Sequence, residues 1–161
     1  MRGLRLPVMM PVIMLLLSGS AFAKPDVWNG GFGQGRAEYS IGNRKANLLI
    51  SCNVETGMTS EHVLSLEVNG NELFSGPDHV VAFLVDGKRF EFSTADNGRV
   101  ISSSRDAADL WGNFITALQK AKTIELYYDD SRITKITPKR SSLKNIEFMS
   151  DSCKPLFYRE K

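Results

Sequence analysis

Apolar and polar residues alternate with a period of two over most of this chain, the pattern of half-buried β-strands. Ala37, Tyr39 and Ile41 form the first such run, and Leu48, Ile50 and Cys52 fall on one face of the second, Ala46 to Asn53. Leu64, Leu66 and Val68 alternate with Ser65 and Glu67, and Asn69-Gly70 follows at once. That dipeptide is a strong hairpin signal because both residues tolerate positive φ. Leu73-Phe74 begins a short return that Ser75-Gly76-Pro77-Asp78 stops. His79 to Val85 is apolar at almost every position, which predicts a strand covered on both faces. Asp86-Gly87 then predicts a tight turn into Lys88–Ser93, with Phe90 and Phe92 inward. Ile124, Leu126 and Tyr128 resume the alternation. Asp129-Asp130-Ser131 turns the chain into a last strand, Arg132 to Thr137, ended by Pro138.

One segment has the helical period instead. Ala107, Leu110, Trp111, Phe114, Leu118 and Ala121 recur at three- and four-residue spacing, the apolar stripe of an amphipathic helix. Ser103 with Asp106 resembles a capping box, and Lys120 and Lys122 suit the negative end of the helix dipole. A short C-terminal helix is expected over Ser142–Ser152, with Ile146, Met149 and Cys153 on one side. Lys24–Gly35 is Gly-rich and reads as a flexible lead-in to the first strand, with Trp28 and Phe32 either docking a partner or folding back onto the domain. Successive hairpins and one amphipathic helix predict an α+β fold: a single antiparallel β-rich domain with the helix packed on the sheet. A β-sandwich with the helix as a long connection is the alternative.

The first 23 residues have a different character. Arg2 and Arg5 precede an apolar run from Leu6 to Leu17, and Ala21 and Ala23 form an A-x-A exit. These are the parts of a secretory signal peptide cleaved after Ala23. The run is shorter than the roughly 20 residues that span a bilayer. The mature chain, 24–161, is then a single exported domain without a membrane span, periplasmic or secreted. Arg2 and Arg5 belong to the leader, so the remaining 18 basic residues balance 18 acidic ones. A neutral surface argues against bulk nucleic-acid binding, which needs excess Lys and Arg to displace counterions. The two cysteines, Cys52 and Cys153, are most simply one disulfide in an oxidising compartment.

No familiar catalytic or metal-binding spacing is present, and nothing points to a cofactor. Gly31-x-Gly33-x-Gly35 lacks the strand before it and the helix after it that a phosphate loop needs. His62 and His79 read as surface residues at strand starts, with neither a nucleophile elbow nor an H-E-x-x-H motif beside them. Asp129-Asp130 reads as a turn rather than an acid–base pair. A dispersed hydrolase would need a pocket joining one of these histidines to a nucleophile.

The sequence does single out a basic stretch. Arg132, Lys135, Lys139 and Arg140 run without an acidic residue to Asn145, next to Tyr127-Tyr128. Exposed Tyr beside Arg is interface composition. Tyr127, Arg132, Lys135, Lys139 and Arg140 are therefore the candidate partner-binding residues. The expected function is non-catalytic protein binding, most concretely an immunity or inhibitor protein against an envelope-targeted cell-wall enzyme. The alternative is an envelope or virulence accessory protein that contacts a membrane, a host surface or a secretion assembly.

Overall fold

Four of the strand-to-strand connections are two-residue turns in which both residues have positive φ: Gln34-Gly35, Asn69-Gly70, Asp86-Gly87 and Asp129-Asp130. This is the turn whose twist matches that of the strands it joins, so the local sequence favours each hairpin. The structure, a computed structural model, describes residues 24–54, 62–73, 79–92, 94–95, 98–100 and 102–159. The expected leader, the polar loop 55–61 and the strand stop at 75–78 lie outside these residues.

The strands are β1 (Asn29–Gly33), β2 (Arg36–Gly42), β3 (Ala46–Asn53), β4 (His62–Val68), β5 (Asn71–Leu73), β6 (Val81–Val85), β7 (Lys88–Phe92), β8 (Thr94–Ala95), β9 (Arg99–Val100), β10 (Ile124–Tyr128) and β11 (Ser131–Ile136). They form two sheets in which every pairing is antiparallel. The larger, seven-stranded sheet runs β1-β2-β3-β4-β9-β8, with β5 also on β4, and the four-stranded sheet runs β11-β10-β6-β7. The 14-residue helix α1 (Arg105–Leu118), the longest among the described residues, carries the chain from β9 to β10, from one sheet to the other. The short helix α2 (Met149–Ser152) and 3₁₀ turns at Arg140–Ile146 and Leu156–Tyr158 complete the C-terminal part. The fold is the α+β arrangement that the alternation predicts. Among the described residues, no helix is long and apolar enough to cross a membrane.

Both sheets turn their apolar faces to one core. Ile41, Leu48, Ile50 and Leu66 come from the larger sheet, and Phe83, Phe90, Ile124 and Leu126 from the smaller. The helix joins them. Phe114 packs on Phe83, Phe90 and Phe92, while Trp111 meets Phe92 on one side and His62 of β4 on the other. Serving two sheets turns the buried arc away from the predicted stripe: Ala108, Trp111, Phe114, Ile115 and Leu118 are buried, whereas Leu110 is exposed. The N-cap is Ser104, not Ser103, with its side chain accepting from the Ala107 N–H.

The Gly-rich segment is also different from its expectation. It is not a flexible lead-in: Asn29–Gly33 is an edge strand, paired residue for residue with β2. Trp28 is fully buried, so of its two expected roles it takes the core-plugging one, while Phe32 stays 73% exposed. Gly30 is required here, because a Cβ would stand 2.2 Å from the Asn145 carbonyl oxygen. Gly31 and Gly33 lie in the strand, which removes any phosphate-loop geometry.

The expected disulfide is present. Cys52 of β3 and Cys153 after α2 are bonded, with an S–S distance of 2.00 Å and a sequence separation of 101. Ile146, Met149 and Cys153 are all buried on the side the spacing predicts. Asp86 shows how a turn residue also fixes its surroundings. Its carboxylate accepts from the Lys122 and Thr123 N–H groups and from the Thr123 hydroxyl, at 2.8–3.2 Å. Burial pushes its pKa up, but these donors outweigh that and hold it below the ordinary aspartate value. Asp86→Ala releases the α1–β10 connection and is expected to cost about 1 kcal/mol in urea unfolding.

Candidate functional site

The outward face of the four-stranded sheet is where three of the five predicted partner residues, Tyr127, Arg132 and Lys135, meet. Along β10, Ile124 and Leu126 point into the core, so Glu125 and Tyr127 point out. Register places Arg132 opposite Tyr127 and Lys135 opposite Glu125 on β11, and Ala82 and Leu84 opposite the same two residues on β6. On β7, Arg89 and Glu91 alternate with the buried Phe90 and Phe92, so they share this outer face.

Glu125 is the hub. Its carboxylate accepts from the Tyr127 hydroxyl at 3.1 Å and faces Arg132 at 3.4 Å and Lys135 at 3.8 Å. Its side chain is only 16% exposed. The hydrogen bond to this carboxylate holds the Tyr127 pKa above its usual value. From the other side, the Arg89 guanidinium lies 5.5 Å from the centre of the Tyr127 ring. The intervening Ala82 is small and buried. Arg89 is also tied to Glu91 and to Asp130. The tyrosine is thus flanked by two arginines on this face.

This geometry revises the basic edge in two ways. First, Tyr127, Arg132 and Lys135 come together, but Lys139 and Arg140 do not join them. Pro138 ends the strand pattern, and the chain leaves the sheet there. The Lys139 N–H donates to the Asp26 carbonyl, and Arg140 starts the 3₁₀ turn. Second, the stretch free of acids in sequence is not free of them in space. Glu125, Glu91 and Asp130 alternate with Arg89, Arg132 and Lys135, so the face is a mixed-charge network around one aromatic ring. Arg89 and Glu125 escaped the sequence reading because β10 inserts beside β6, a neighbour about 40 residues away in the chain. Alternation with Phe90 and Leu126 was the available signal for their outward direction.

The two histidines lie apart in the fold, His62 at the start of β4 and His79 just before β6. His62 was expected at the surface but is completely buried. It stacks on Trp111 and its Nε2 donates to the Lys154 carbonyl at 2.7 Å, which leaves Nδ1 without a partner. Burial is the main cause that lowers its pKa to about 4, and the charges of Arg159 and Arg36 add to it against the opposing Lys154 hydrogen bond. The Trp111 indole N–H donates to the next carbonyl, that of Cys153. His79 is exposed, as expected, stacks on Tyr128 and contacts Asp129 at 2.7 Å. Asp129 also accepts from the Val80 N–H at 3.0 Å. That backbone donor, followed by His79, keeps its carboxyl below the ordinary range. Asp129 and Asp130 form the turn that the sequence predicts.

Among the described residues, no three His, Cys, Asp or Glu side chains are placed to hold a metal ion. A depression of about 370 Å³ lies on the outer face of the larger sheet, lined by Asn47, Leu49, Ser65, Glu67 and Glu72. It is separate from both histidines, which contribute nothing to its lining.

A profile of the YfjT family matches residues 26–147, from just before β1 through the whole of the four-stranded sheet. The chain belongs to the YfjT family. Two relatives from Escherichia coli (strain K12) accompany that match. Uncharacterized protein YfjT is 24% identical over 143 residues, covering 85% of this chain and 88% of the relative. Uncharacterized protein YkfB is 24% identical over 141 residues, covering 83% and 85%. No solved structure matches the chain significantly. The YfjT-family segment thus contains all the residues of the Tyr127 network, and Cys153 lies beyond it.

Proposed function

We propose that this member of the YfjT family is an exported, non-catalytic protein-binding domain, most concretely an immunity or inhibitor protein against an envelope-targeted cell-wall enzyme. The observation that carries the reading is Tyr127, held on the outer face of the four-stranded sheet between Arg89 and Arg132 by Glu125. Tyr and Arg are the residues that most often supply interface binding energy, and a pre-positioned ring loses little freedom on docking. Export is supported by the leader-like Met1–Ala23 and by a disulfide between strand and C-terminus, a bond that oxidising compartments favour. The positions of the histidines support a non-catalytic role. His62 fastens the C-terminal segment to β4, and His79 belongs to the Asp129 turn. The mixed charges of the face favour a partner surface with both signs, rather than a uniformly acidic one.

The test is inhibition. Adding the protein to an envelope extract that digests peptidoglycan should suppress the digestion. Tyr127→Ala should weaken the effect by about 30-fold, the equivalent of roughly 2 kcal/mol at an interface anchor. Lys139→Ala, off the sheet, should leave it unchanged. Digestion that proceeds equally with and without the protein contradicts the inhibitor reading.

A further inference from the structure

Among the described residues, strand β1 is an open edge of the larger sheet, five residues long where the opposite edge, β8, has two. All five of its residues are exposed. An unpaired edge is a template for another strand, and charged residues are the usual protection against that. Here β7 carries Lys88, Arg89 and Glu91, β11 carries Arg132 and Lys135, and β5 carries Glu72. β1, with the sequence Asn-Gly-Gly-Phe-Gly, carries no charge.

The register shows which backbone groups are open. Gly33 and Arg36 flank the two-residue turn, so they form a hydrogen-bonded pair of the antiparallel ladder. Alternation then turns the N–H and C=O of Gly30 and Phe32 away from β2. At Trp28, the preceding outward position, the Asn145 side chain already donates to the carbonyl at 2.6 Å. The Lys139 N–H and the Thr137 N–H likewise cover Asp26. The edge is therefore closed before Gly30 and open from Gly30 to Phe32.

We infer that this open edge pairs with the same edge of a second copy of the chain, antiparallel and centred on Gly31. The two-fold register sets Gly30 opposite Phe32 of the mate and Phe32 opposite Gly30 of the mate. Each pair exchanges two backbone hydrogen bonds, so every open group of the edge is satisfied by an identical edge. No charge opposes another, and the exposed Phe32 ring lies beside the mate's Gly30, whose side-chain direction is occupied by the backbone carbonyl of Asn145. The pairing joins the two larger sheets into one and leaves the Tyr127 face on the other sheet free, so it does not depend on the proposed function.

Cysteine cross-linking tests the register. A Cβ at Gly31 or Gly33 meets no atom within 4 Å, so both positions accept cysteine. Gly31 faces its own copy across the two-fold. Two copies of position 33 stand about 13 Å apart along the strands. In protein expressed from the complete sequence with its native disulfide intact, Gly31→Cys should form a linked dimer under mild oxidation at least ten times faster than Gly33→Cys. Peptide mapping should place the link between the two substituted positions. Adding Phe32→Pro to Gly31→Cys removes one outward N–H without removing a bond to β2, and should lower the rate to that of Gly33→Cys. Equal rates at the two positions, absence of linked dimer from both, or a rate unaffected by Phe32→Pro in protein that keeps its melting transition would overturn the inference.

Discussion

Replacing Cys52 and Cys153 together by serine is expected to remove about 4–5 kcal/mol of stability, the chain-entropy value for a loop of about 100 residues. The bond joins β3 to the segment after α2 across a separation of 101 residues, and the loop it closes contains every element from β4 to α2. Both sulfurs lie in the core, so the serine hydroxyls would also be buried without designed partners. A domain of this size has a total stability of about 5–15 kcal/mol, so the bond supplies from about a third of it to nearly all. Urea unfolding of wild type and double variant, both purified after export, measures the difference. A loss below about 1 kcal/mol would mean that the C-terminal segment is held without the bond. Trp111 to the Cys153 carbonyl, His62 to the Lys154 carbonyl and Ser102 to Leu156 and Phe157 are the contacts that would then be sufficient.

The second large effect is on acid stability. His62 takes up its proton near 6.5 in the unfolded chain but only near 4 in the folded one. Between these values the unfolded state binds more protons, so stability is fully present above pH 6.5 and falls as the pH drops toward 4. A difference of that size amounts to about 3 kcal/mol. Below pH 4 this contribution does not change further. The charged form is disfavoured chiefly because the ring is buried against Trp111, and Arg159 and Arg36 repel it as well. His62→Phe retains the stacked ring and leaves the Lys154 carbonyl its donor from Arg159, at 3.0 Å. Unfolding midpoints measured from pH 7.5 to 4.5 should therefore fall steeply for the wild type and much less for His62→Phe. Parallel curves would show that His62 is not the group responsible.

The parts of this fold that the sequence made legible are those in which a local rule agrees with the tertiary result. Asn69-Gly70 and Asp86-Gly87 supply the positive φ that a tight hairpin needs, and the alternation around them has one buried face. The pairing of Cys52 with Cys153 was legible because no other cysteine competes. β1 was not, since three glycines erase any alternation and the strand exists through its ladder to β2. The helix was found but its face was rotated. Leu110 fits the apolar stripe as well as Ile115 does, and only the position of the two sheets decides between them. His62 could have been placed inside, because it has the same parity as Leu64 and Leu66 in β4. Its neighbourhood in sequence, a polar loop, outweighed that signal. For the candidate site, Tyr127, Arg132 and Lys135 were legible from one strand pair. Glu125 and Arg89, which neutralise and frame them, depended on a sheet order that no local pattern records.

The measurement that tests the central claim most directly is a paired capture from periplasmic and neighbouring-cell extracts. The exported protein is immobilised beside its Tyr127→Ala/Arg132→Ala variant, with folding of both checked by their melting transitions. The account predicts one stoichiometric protein, a cell-wall-directed enzyme, retained by the wild type and lost from the variant. Equal retention by both, or recovery of lipid or surface polymer in place of a protein, would contradict it.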